Sequence, residues 1–139
     1  MDLALQLGAA ASLIIVATII HGTGVTISSK LLRSEESEFK RRSLLFLEFH
    51  FMVPMALFLF ALHLLEIIIF AAFYLAVGAI GTVEGALFAS ASAYTTLGLT
   101  ESTMVRWRLV GAFEGLAGFL LIGWSVAVFM GEMEKALKK

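Results

Sequence analysis

The sequence predicts an all-α membrane protein with three transmembrane helices and one re-entrant segment, and three observations predict it. Of the 139 residues, 60% are apolar and only 15% are charged, against roughly a quarter charged in an ordinary soluble domain. Three runs reach the length of about 20 residues that a helix needs to cross the hydrocarbon core. A fourth helix-compatible run, made of small residues, is too short to cross. The mean hydropathy of +0.95 and the 12 Phe exclude a disordered or nucleic-acid-binding chain, because such chains are poor in aromatics and rich in charge. With no Cys, neither disulfides nor thiolate metal sites are available. The net charge of −1 says less than where the charges lie along the chain.

Residues 3–29 contain no Asp, Glu, Lys or Arg and form the first span. A secretory signal peptide also opens with an apolar run, but it wants a basic start and a shorter apolar core, so Asp2 and the length of this run argue against cleavage. Residues 30–42 carry five basic and three acidic residues around Ser34 and Ser37 and read as a solvated connector. The second apolar stretch, 43–77, is interrupted only by Glu48, His50, Pro54, His63 and Glu66. At about 1.5 Å per residue it would be about 50 Å long, more than the core thickness, so it should tilt or protrude. Gly78, Gly81 and Gly85 mark a break, and 86–93 is the short small-residue helix, followed by Tyr94, Thr95, Thr96, Leu97, Gly98, Leu99, Thr100 and Glu101. The third span covers about 107–130, and a mixed tail closes the chain.

Basic residues orient this scheme. Lys30, Arg33, Lys40, Arg41, Arg42, Lys135, Lys138 and Lys139 fall on one side, and only Arg106 and Arg108 on the other, so the N-terminus is expected outside and the connector and tail in the cytoplasm. Non-helical backbone at membrane depth survives only where protein buries it or where it lines a water-filled path. A half-helix followed by Thr-Thr-x-Gly suits a cation path, because carbonyls and hydroxyls replace a hydration shell and the helix points its negative end there. An interfacial loop is the plainer alternative.

The run ALFASASAYTTLGLTE at 86–101 resembles the pore helix and selectivity filter of the tetrameric potassium-channel superfamily, whose hallmark reads T-T-V-G-Y-G-D. The flanks resemble the same pore module as it occurs in small bacterial ion-channel proteins. HLLE at 63–66 with Phe70 to Tyr74 looks like its outer helix, and WRLVGAFEGLAGFLLIGW at 107–124 like its inner helix. The resemblance covers about residues 44–132. It implies three parts: an N-terminal helix and basic cytoplasmic connector (1–42), a pore module (43–132) and a cytoplasmic tail (133–139). It also implies a homotetramer in lipid of the bacterial inner membrane, with monovalent cations such as potassium or sodium as transported ions, no cofactor and no nucleic-acid partner. The ion-binding filter would be Thr95, Thr96, Leu97, Gly98, Leu99 and Thr100.

Departures from the hallmark are specific. Thr96 and Gly98 are retained, but Leu99 replaces the aromatic residue, Thr100 the second glycine and Glu101 the acidic residue Asp. The family's filter alternates backbone handedness, and a β-branched residue at positive φ is disfavoured, so the outer carbonyl rings at Leu99 and Thr100 should be lost while the inner half can persist. Four copies of Glu101 would make an acidic ring at the outer mouth; pairing with Arg106 or Arg108 is the other reading. Gly111, Gly115 and Gly118 permit close helix approach, and Gly118 or Gly123 lies where the family bends its inner helix.

Ionisable side chains inside a span are costly and carry a functional question by default. A symmetric hairpin about Glu36 would set His21 at the level of Phe51, facing Glu48 and His50. Two imidazoles and a carboxylate could hold a metal or relay a proton, but no metal-ligand spacing is present, and a structural hydrogen-bonded cluster is the favoured reading, with no metal expected. His63 and Glu66, three apart on one helix face, would anchor the outer helix to the pore helix or to Glu114. Phe46, Phe49, Phe51, Phe58 and Phe60 read as lipid-facing or core, and Trp107 and Trp124 as interfacial anchors. No nucleotide-binding, nucleophile or metalloprotease pattern occurs, so no enzyme is expected, and the internal repeat of a transporter is missing. The expected function is a cation channel with weakened potassium selectivity, the alternative being a non-conducting structural or sensory membrane subunit.

Overall fold

A computed structural model describes residues 3–34, 52–98 and 106–137, and all regular structure among them is helical. Helix α1 spans Leu3–Ser34, α2 Val53–Ala76, α3 Val83–Tyr94 and α4 Arg108–Leu137. Three helical stretches, Leu3–Lys30, Val53–Ala76 and Arg108–Lys135, are long and apolar enough to cross a membrane. The chain is thus read as a multi-pass membrane protein. Within α1, Ser12, Thr23 and Thr26 each donate a hydroxyl hydrogen bond to the carbonyl four residues back, to Gly8, Ile19 and Gly22. In an apolar medium a hydroxyl must find such a partner internally.

Helix α2 starts at Val53 with Pro54 in its first turn, where the missing N–H removes no helical bond. The earlier part of the predicted second span, 43–51, lies outside the described residues. Its C-terminal end is closed by Gly78 at φ +64. Gly78 N–H donates to Leu75 O and Ala79 N–H to Tyr74 O, the paired bonds of a left-handed helix stop that favours glycine.

Helix α3 begins three residues before the predicted 86–93 segment. The reason is local: extended Thr82 caps it by accepting the Gly85 N–H at 3.1 Å, and Glu84 sits in the first turn, where a negative charge is favoured. At the other end, Thr96 N–H donates to Ala93 O at 2.9 Å and Thr96 itself takes φ 59. A threonine in this left-handed position costs about 1–2 kcal/mol that glycine would not.

Helices α1 and α4 run parallel, with Gln6 Oε1 accepting the Leu109 N–H near one end and Val25 packed in a cluster with Val128 toward the other. Helix α2 is antiparallel to both. One apolar cluster joins Ala10 and Ala17 of α1, Phe70, Ala71 and Tyr74 of α2, Ala86 and Ala89 of α3, Trp107, and Val110 and Leu121 of α4. A second gathers Val25, Met55, Leu59 and Leu62. Trp107 therefore lies in the core, edge-on to Phe73, instead of standing free as an interfacial anchor. Ile15, Ile19, Leu57, Phe60, Phe119 and Leu120 are exposed on the outside, as a bundle surrounded by lipid requires.

The short α3 packs against both α2 and α4. Its Ser90 reaches Ile67 and Glu114, and Tyr94 reaches Glu66, half-way along α2. Its last carbonyls abut α4: a Cβ on Gly115 would stand 3.0 Å from Ala93 O and one on Gly118 only 2.2 Å from Tyr94 O. The glycine notch lets backbone meet backbone. Gly118 and Gly123 both lie inside the continuous α4.

Candidate functional site: two buried carboxylate centres

Polar side chains from all four helices meet between the apolar clusters. His21, Glu66 and Glu114 are fully buried. The helix pairing responsible differs from the symmetric hairpin about Glu36: His21 meets Glu66, which centres the pairing of α1 and α2 near Ser43. Side-chain packing selects this register, and the midpoint of the charged connector does not. Glu48 and His50 lie outside the described residues.

In the first centre, Glu66 Oε1 lies 2.8 Å from His21 Nδ1, and Glu66 Oε2 lies 3.2 Å from His63 Nδ1 and accepts a short hydrogen bond from the Tyr94 hydroxyl. His63 Nδ1 is also 2.8 Å from the Tyr94 oxygen. Ser125 Oγ is 3.3 Å from His21 Nε2, and the Trp124 ring stands 5.3 Å from the His21 ring. With Tyr94 donating to Glu66, His21 donates from Nδ1 to Glu66 Oε1, Ser125 donates to His21 Nε2, and the single Nδ1 proton of His63 lies between the Tyr94 oxygen and Glu66 Oε2, nearer the former. Glu66 thus serves as a carboxylate with donors from His21 and Tyr94 and a shared third from His63, and it ties α1 and α3 to α2.

The second centre uses protons differently. Glu114 Oε2 accepts from the Tyr74 hydroxyl at 2.5 Å. Ser90 Oγ is 2.5 Å from Glu114 Oε1 and 2.9 Å from Ile67 O, but a serine has one proton to give. Both Ser90 contacts are hydrogen bonds when Glu114 is the neutral acid, donating to Ser90 while Ser90 donates to Ile67 O. This chain pins the middle of α3 between α2 and α4. Tyr74→Phe is expected to cost about 1 kcal/mol, the usual scale for an interhelical hydrogen bond in a membrane bundle. The same change in a Glu114→Leu background should cost nothing further, which a double-mutant cycle on thermal unfolding in micelles checks.

The structure thus brings His21, His63 and Glu66 together, and it places Glu114 in a separate cluster, with Tyr94 instead as the α3 partner of Glu66. Of the residues expected to line an ion path, Thr95 donates its hydroxyl to Ala91 O at 2.6 Å, and Thr95, Thr96, Leu97 and Gly98 are exposed. Leu99, Thr100 and Glu101 lie outside the described residues. Sequence reasoning missed Tyr74, Ser90, Tyr94 and Ser125 as members of polar centres. Their signal was available in part, since a hydroxyl within an apolar run needs a partner, but which partner is a long-range property. Compared with protein-family models, with curated proteins and with solved structures, the chain has no match.

Proposed function

We propose that the chain is the subunit of a homotetrameric cation channel related to the potassium-channel superfamily, with weakened preference for potassium, held N-terminus outside in a bacterial inner membrane. The observation that carries this reading is the placement of α3. It is a 12-residue helix wedged between two membrane-length helices, ending beside Glu66 and Gly118, with Thr95 to Gly98 exposed just beyond its end. Exposed polar backbone half-way along apolar helices is costly in lipid unless other copies and a water-filled path cover it. One such segment cannot enclose a path, and cyclic symmetry closes the contact. The negative end of α3 and the Thr carbonyls favour a cation there. Leu99 and Thr100 lack the aromatic side chain and the glycine freedom of the family filter, which removes dehydrated sites in series and lowers discrimination.

Flux from reconstituted liposomes tests this. Potassium and sodium are expected to pass at comparable rates and a large organic cation to be excluded. Leu99→Tyr with Thr100→Gly should raise potassium preference, and Thr96→Ala should weaken cation binding in either background. Strong potassium preference in the unmodified protein would overturn the reading of Leu99 and Thr100, while a four-fold assembly without flux would favour the non-conducting subunit. Cross-linking in native membranes that stops at dimers removes the pore.

A further inference from the structure

We propose that His21, His63 and Glu66 form a binding site for one divalent transition-metal ion of the zinc type, which clasps α1 to α2 beside the end of α3. One ligand atom from each of the three residues lies within 4.8 Å of the others. His21 Nδ1 lies 2.8 Å from Glu66 Oε1 and His63 Nδ1 3.2 Å from Glu66 Oε2, so each imidazole faces its own carboxylate oxygen, near the ligand-to-ligand spacing of about 3.3 Å in a tetrahedral site with bonds near 2.0–2.1 Å. The His rings are 5.1 Å apart between centroids, and small side-chain shifts would gather both nitrogens and one carboxylate oxygen around a single ion.

The architecture is that of a bundle-core metal site. His63 and Glu66 are three apart on one helix, and a facing helix supplies the third ligand, an arrangement that directs side chains inward to one point. Two imidazoles and one carboxylate suit zinc and its first-row neighbours and do not suit magnesium or calcium, which prefer all-oxygen sets. The surroundings complete it. Ser125 holds the far nitrogen of His21, and the Tyr94 hydroxyl holds the carboxylate, the outer contacts that orient metal ligands. His63 keeps 16% of its side chain exposed while Glu66 and His21 are fully buried, so an ion has a way in past one ring. Among the described residues Glu66 pairs with neither Lys nor Arg. A divalent ion would more than offset the carboxylate's charge and take the Nδ1 lone pair of each imidazole, so that the ring proton moves to Nε2 and His21 then donates it to Ser125 Oγ.

The site is independent of conduction, and its test reads binding alone. The full chain in detergent micelles, stripped with chelator and dialysed, is titrated with Co²⁺ as a visible probe and then with Zn²⁺. The expected result is a d–d absorption band that saturates at one ion per chain, is displaced by Zn²⁺, and is accompanied by a Zn²⁺-dependent rise in Tm. His21→Ala and Glu66→Ala should abolish the band. His63→Gln, at the least buried ligand, and Ser125→Ala, behind His21, should each weaken binding at least about tenfold with helical circular dichroism unchanged. Glu114→Gln, in the other centre, should bind as the unmodified chain does. Absence of a saturable band in the unmodified chain, or the same band in folded His63→Gln, overturns the proposal. Binding without liposome flux would remove the channel reading alone, and flux without binding would remove the metal site alone.

Discussion

Gly118→Ala is expected to destabilise the protein by about 2–3 kcal/mol, the upper range for forcing extra volume into a packed interface. The added Cβ would lie 2.2 Å from Tyr94 O and 2.9 Å from both the carbonyl carbon and Cγ of Tyr94. Two of these three atoms are backbone, so no rotamer change of a flexible side chain relieves the clash. The end of α3 has to move, and with it the Tyr94 hydroxyl that donates to Glu66. Gly118→Val should therefore cost more than Gly118→Ala and should also change liposome flux, because the residues that follow Tyr94 would shift. Gly123 is the control. A Cβ there meets nothing within 4 Å, and Gly123→Ala should stay within about 0.5 kcal/mol of the unmodified chain. Thermal unfolding in micelles measures all three, and equal stability of Gly118→Ala and Gly123→Ala would show that α3 does not seat against α4 as described.

The two buried carboxylates should respond unequally to the same chemical change. Glu66→Ala strips an acceptor from His21, His63 and Tyr94. The His21 and Tyr94 donors left behind are buried, and at about 1–3 kcal/mol for each unsatisfied donor the loss is about 3–5 kcal/mol. Glu66→Gln should still cost about 2 kcal/mol or more, because one carboxylate oxygen becomes an NH₂ aimed at donors. Glu114→Gln, in contrast, keeps the pattern of a neutral acid: its amide oxygen accepts from Tyr74 and its amide nitrogen donates to Ser90, replacing the contacts at 2.5 Å. It should lie within about 1 kcal/mol of the unmodified protein. Metal-free protein is used for both, so that ion binding does not enter the comparison. Equal losses for the two Gln variants would mean that the protons are arranged the same way in both centres, contrary to the donor count at Ser90.

The helices themselves were legible in the sequence because they depend on local quantities. Apolar run length, the position of Pro54 and the glycine at 78 bear on stretches of a few turns or less, and the three membrane-length helices appear where the apolar runs predict them. The start of α3 at Val83 was missed for an equally local reason, the weight given to Gly85 as a breaker over Thr82 as a cap. Partnerships were a different matter. His21 was expected beside Glu48 and His50 from the midpoint of the connector; those two lie outside the described residues, and among the described ones it meets Glu66 and Ser125. Helix register is settled by interdigitation of side chains such as Leu59 and Leu62 against Val25, which no single run of sequence contains. The same holds for the separation of Glu66 from Glu114 into two centres. Each carboxylate took the hydroxyl that packing brought within reach, Tyr94 in one case and Tyr74 with Ser90 in the other. Composition and apolar run length thus determined which helices are long and apolar enough to cross a membrane, since transfer free energy is summed along the chain. Which polar groups share a proton was decided only by the tertiary structure, because a hydrogen bond requires two atoms within about 3 Å and the fold alone brings residues 45 positions apart to that distance.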